Sequence, residues 1–72
     1  MPTEVKIGQN WSAWVPGRRQ WLLATVIRQD SGQVVLKYDT RYGIGHGYDE
    51  HRSDEATMLS TSNLFRFVET KN

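Results

Sequence analysis

Seventy-two residues and 8.3 kDa make one domain, with no room for a cofactor domain beside a substrate domain. The chain has no cysteine, which excludes disulfides, thiolate metal sites and cysteine nucleophiles. A hydrophobic share of 38% and a charged share of 24% are globular proportions, and a net charge of +1 is too balanced for a protein that lives on phosphate backbones.

Charge is unevenly placed. Residues 1–41 carry six cations against three anions, and residues 42–72 carry three against five. Four acids, Asp49, Glu50, Asp54 and Glu55, fall close together and read as an acidic loop beside a basic half. No apolar run approaches the roughly 18 residues of a membrane helix. Met1-Pro2-Thr3-Glu4 has no signal-peptide pattern, so a cytoplasmic location is expected.

Trp11-Ser12-Ala13-Trp14-Val15 alternates as a strand, with Trp11, Ala13 and Val15 on one face and Ser12 and Trp14 on the other. Pro16-Gly17 ends it in a turn. Trp21 to Arg28 predicts a second strand, apolar on both faces through Ile27, as in a bent strand with both faces partly covered. Asp30-Ser31-Gly32 predicts a tight hairpin turn, because Gly supplies a positive φ. Gln33 to Tyr38 predicts the third strand, with Val34, Leu36 and Tyr38 sharing a face. Gly43, Gly45 and Gly47 then interrupt Tyr42 to Tyr48, which reads as a loop or distorted strand. Residues 53–59 predict a short helical turn, with Ser53 as N-cap and Asp54 and Glu55 at its positive end. Asn63 to Val68 closes the chain as a last short strand.

This order predicts an all-β fold, a small five-stranded barrel over residues 5–68 with a long glycine-rich and acidic loop and flexible termini at 1–4 and 69–72. Closure would remove the exposed edges a sheet this small otherwise carries. The expected core is Val5, Ile7, Trp11, Ala13, Ala24, Val26, Val34, Leu36, Met58, Leu59, Leu64, Phe65 and Phe67.

The ordered set of residues resembles the Tudor family of SH3-like barrels. The matching elements are Lys6-Ile7-Gly8 leading into Ser12-Ala13, then Trp21 with Ala24-Thr25-Val26. Gly32, Val34-Val35-Leu36, Tyr38-Asp39, Tyr42-Gly43 and Asn63-Leu64 follow. The match covers residues 5–43 and, more loosely, 60–68. Family members that read methylated lysine or arginine use an aromatic cage, since π-faces attract a desolvated cation. The resemblance puts two cage positions on Tyr38 and Tyr42. The other two fall on Leu22, beside Trp21, and near Val15, beside Trp14, and neither is aromatic. Ile44 stands where cage members often carry Asn, and residues 43–62 are longer, more glycine-rich and more acidic than the family pattern. The resemblance therefore implies the barrel and only half a cage. A lone barrel of this kind fits a small bacterial, phage or mobile-element protein.

Catalytic constellations are missing. Gly43-Ile44-Gly45-His46-Gly47 lacks the Lys-Ser/Thr and helix start of a phosphate loop. His46, Asp49, Glu50 and His51 form no established metal motif. No nucleophile elbow with an activating base is visible, so neither enzyme activity, metal nor cofactor is expected. What remains is an aromatic and basic surface of Trp14, Arg18, Arg19, Trp21, Tyr38, Arg41 and Tyr42. Three uses of it stay open: a protein partner held by exposed aromatics, nucleic acid stacked on the same face, or a homo-oligomer that buries the tryptophans.

Overall fold

The computed structural model describes residues 3–39, 50–60 and 63–69. Five strands form one antiparallel sheet: β1 (Asn10–Val15), β2 (Gln20–Asp30), β3 (Gln33–Tyr38), β4 (Glu50–Asp54) and β5 (Phe65–Val68), in the spatial order β4-β3-β2-β1-β5. One short helix, α1 (Glu55–Ser60), follows β4. The fold is the expected small, barrel-like all-β type. Its sheet is not closed: β4 and β5 are the two edges and do not pair with each other.

Alternation decides the two faces. Trp11 and Ala13 of β1, Leu22, Ala24 and Val26 of β2, Val34, Leu36 and Tyr38 of β3, and Phe65 of β5 all point inward and are buried. Val5 and Met58 of α1 complete this core, with Val15, Leu59 and Phe67 packed against it. Trp11 is fully buried. Its indole N–H donates to Gln9 Oε1 at 3.2 Å, and its ring meets Phe67 edge-on at 5.4 Å. Nothing polar is stranded: no buried side-chain N or O among the described residues lacks a partner.

Two expected core residues are not in the core. Ile7 is 65% exposed because it sits in a turn, whose next residue Gly8 has φ +97 and donates its N–H to Val26 O. Leu64 is 42% exposed, since it precedes β5 and contributes its carbonyl, which accepts from Trp14 N–H at 2.9 Å.

The β2 strand is bent, as its two apolar faces suggest. A bulge between Val26 and Arg28 leaves Ile27 without a partner on β3. The extra residue reverses the inward parity, so that Gln29 lies opposite the buried Val34. Gln29 Nε2 then donates to Glu55 Oε2, which also accepts the N–H of Val5, each at 2.9 Å. Glu55 thus ties the N-terminal segment and β2 to the start of α1.

The acidic stretch is not a loop. Glu50–Asp54 is the polar edge strand β4, and the N-cap of α1 is Asp54 rather than Ser53. Asp54 Oδ1 accepts the Thr57 N–H at 2.7 Å, and hydrogen bonding from Thr57 lowers the Asp54 pKa from its ordinary value. The expected loop or distorted strand from Tyr42 to Tyr48 lies outside the described residues.

The β2–β3 hairpin turns on Ser31 and Gly32, whose φ values of 51° and 82° are those of a two-residue loop with both central residues left-handed. Gly32→Ala is expected to cost about 1–2 kcal/mol. Ser31→Asn, which creates the favoured Asn-Gly pair, is expected to raise the melting temperature. Thermal unfolding of the two variants checks both signs.

Candidate functional site

The outward residues of β1 and β2 bring two tryptophans together. Trp14 and Trp21 are direct cross-strand partners next to the first hairpin. Their rings meet edge-to-face, 5.6 Å between centroids at 60°. Such a pair contributes roughly 0.5–1.5 kcal/mol beyond its buried area. Arg66 of β5 joins them. It lies opposite Ser12 on β1, and its side chain reaches across β1 to place the guanidinium 4.0 Å from the Trp21 ring centroid. A small residue at position 12 leaves room for that crossing. Arg66 was not among the residues singled out from sequence, although the alternation Phe65-Arg66-Phe67 already turns it away from the core.

Arg18 and Arg19 sit at the end of this pair. Pro16 opens a 3-10 turn over Pro16–Arg18, and Arg19 closes it in the left-handed region with φ 50 and ψ 46. Both arginines are exposed. Trp14 and Trp21 thus lie together on the outer face, and Arg18 and Arg19 belong to the turn that joins their strands.

Tyr38 belongs elsewhere. It pairs with Ala24, on the inward set of β2, so it lies on the face opposite Trp14 and Trp21 and is only 8% exposed. Its hydroxyl is hydrogen-bonded to His51 Nδ1 at 2.5 Å. The His51 ring also meets Tyr38 and Phe65 edge-on, at 5.8 and 5.4 Å. Burial raises the Tyr38 pKa and lowers that of His51. Leu22, a second cage position, is buried in the core, and Val15, beside the last, packs against it. Arg41 and Tyr42 lie outside the described residues, as do His46 and Asp49.

Leu23, Thr25, Ile27, Lys37, Tyr38 and Asp39 line an open cleft of about 380 Å³. The Thr25 hydroxyl is 2.6 Å from Asn10 Oδ1 and donates to it. Glu50 accepts ion pairs from Arg28 at 3.7 Å and Arg52 at 3.4 Å. These are exposed pairs of small energetic weight. Among the described residues there is no group of three His, Asp or Glu side chains arranged to hold a metal ion. No helix among them is long and apolar enough to cross a membrane.

The arrangement offers two aromatic rings, a guanidinium fixed against one of them, and two further guanidinium groups on a hairpin. No family model, curated protein or solved structure matches the chain.

Proposed function

We propose that this chain is a non-catalytic binding module of the SH3-like, Tudor-like type that holds another protein on the outer face of its sheet. One observation carries the reading: Trp14, Trp21 and Arg66 form a contiguous aromatic and arginine cluster outside the core. Trp and Arg are the residue types in which binding energy concentrates at protein interfaces. The core does not need this cluster, because Trp11, Leu36 and Met58 already fill the interior. A methyl-cation cage is not part of the proposal, since Leu22 and Tyr38 point inward.

Nucleic acid is the second reading, favoured by Arg18 and Arg19 beside the tryptophans. Proton–nitrogen NMR titration with single- and double-stranded oligonucleotides at two salt concentrations separates the two. Shifts on Arg18, Arg19 and Trp21 that fade steeply with salt overturn the protein reading. On the protein reading, Trp21→Ser weakens capture of the partner by roughly 30-fold or more, as expected for an interface anchor. Ile7→Ser, at the most exposed large apolar residue among the described ones, leaves capture unchanged.

A further inference from the structure

We infer that the segment held on this face is acidic, with its carboxylates received by Arg66 and the hairpin arginines. This rests on the reading of the Trp14–Trp21 face as a protein-binding surface. The first ground is charge. From Val5 to Gln29 the sequence contains no Asp or Glu, and neither does β5. The strands β5, β1 and β2 therefore carry no acid until Asp30, at the far end of β2 from the tryptophans, and Glu69 follows β5 at the Asn10 end of β1, also away from them. Glu50 and Asp54 belong to β4, on the far side of β3, and Asp39, which follows β3 and donates its N–H to Leu23 O, is the one acid that borders the β2 strand near Trp21 among the described residues.

The second ground is which cations are already engaged. Lys6 pairs with Glu4, and Arg28 and Arg52 both pair with Glu50. Among the described residues, Arg18, Arg19 and Arg66 have no carboxylate partner. Among the described residues, the arginines without a carboxylate partner are those of the hairpin and the one held over Trp21.

The third ground is the geometry of Arg66. Its guanidinium is held over Trp21, so less freedom is lost when its N–H groups meet a carboxylate, and the planar fork matches two oxygens at once. The same contact disfavours nucleic acid. Arg66 covers a face of Trp21 on which a base would stack, and Trp14 stands at 60° to it, so the pair is not a parallel stacking platform. An extended peptide with acidic and apolar side chains in alternation matches guanidinium and indole together.

The test uses the full chain and three probes: a tryptophan-free peptide alternating Glu with Leu, the same peptide with Gln for Glu, and oligothymidine. The indole N–H signals of Trp14 and Trp21 are followed by NMR. The Glu peptide is expected to shift both and to bind at least tenfold tighter than the Gln peptide. Arg66→Gln should remove a large part of the preference over the Gln peptide, and Arg66→Gln combined with Arg18→Gln and Arg19→Gln should remove all of it, with the Trp11 indole signal unmoved as evidence that the fold is intact. Arg66→Lys, which keeps the charge and loses the fork, should fall between. Equal binding of the two peptides overturns the acidic preference and leaves the protein-binding face standing. Tighter binding of oligothymidine overturns both. A failure of the Glu peptide to shift either indole overturns the inference alone, because capture by the Trp21→Ser variant judges the face independently. Concentration-dependent dimerisation that moves the same indoles without a probe overturns it in favour of a second copy.

Discussion

Trp11→Ala is expected to cost about 3–5 kcal/mol, the cost of truncating a large aromatic in a close-packed interior. A chain of 72 residues has roughly 4–11 kcal/mol of stability in total, so the loss takes a large part of what holds the fold. Trp11 is fully buried, sits opposite Ala24 on one side and Phe67 on the other, and joins β2 to β5 through the middle of the core. The small residue across from it is what admits the indole. Truncation also leaves Gln9 Oε1 without the indole donor. In a domain of this size the melting temperature should fall by roughly 12–40 °C. Trp14→Ala provides the contrast. Trp14 is three residues away in the same strand, faces outward and is half-buried, so its loss should cost about 1 kcal/mol. Circular dichroism melts of the two variants decide the matter. Equal losses would mean that the inward and outward faces of β1 are wrongly assigned.

The reason this contrast was legible in the sequence is the strict alternation of β1. Trp11, Ala13 and Val15 could only share a face, and Ser12 and Trp14 the other. β3 was legible for the same reason, with Val34, Leu36 and Tyr38 on one face. β2 was not. Trp21, Leu22, Leu23, Ala24, Val26 and Ile27 are apolar on both faces, so alternation gave no phase, and the bulge at Ile27 changes the phase again. That hidden phase is why Tyr38 was grouped with Trp14 and Trp21: only the pairing of Tyr38 with Ala24 reveals that they face opposite ways. β4 escaped notice because Glu-His-Arg-Ser-Asp has no apolar residue and little β-propensity. It is a strand because it pairs along β3, with His51 opposite the buried Leu36. Arg66 was hidden differently. Its contact with Trp21 crosses an intervening strand, and only the order β2-β1-β5 brings them together.

The same inward placement of His51 makes stability depend on pH. Burial lowers its pKa in the folded chain below the ordinary 6.5, whereas the unfolded chain takes up a proton near that value. Between the two pKa values the unfolded state binds more protons, so stability falls as the pH is lowered through this window. Above about 6.5 the contribution is fully present. Tyr38 acts at the other end. Burial raises its pKa above 10.0, so the stability it contributes is present below that value and lost as pH rises through the folded pKa. The two groups share a hydrogen bond, and a plateau between about pH 6.5 and 10 is the expected profile. A second acid limb follows from Asp54, whose lowered pKa makes its contribution fade as the pH falls below the ordinary 3.8. His51→Gln should remove the first acid limb and retain the second. His51→Phe should remove it too, and should cost about 1–3 kcal/mol across the plateau by leaving the Tyr38 hydroxyl without its partner. Tyr38→Phe in the same background should recover part of that loss, since both polar groups are then gone. Melting temperatures measured from about pH 2 to pH 11 give all of these curves. An unchanged first limb in His51→Gln would show that another group drives it. The seam between the sheet edges β4 and β5 is where the effect acts, because His51 on one edge packs against Phe65 on the other. A sheet that leaves its edges unpaired depends on side chains to hold them together. Here one of those side chains is a half-buried imidazole whose burial favours the neutral form.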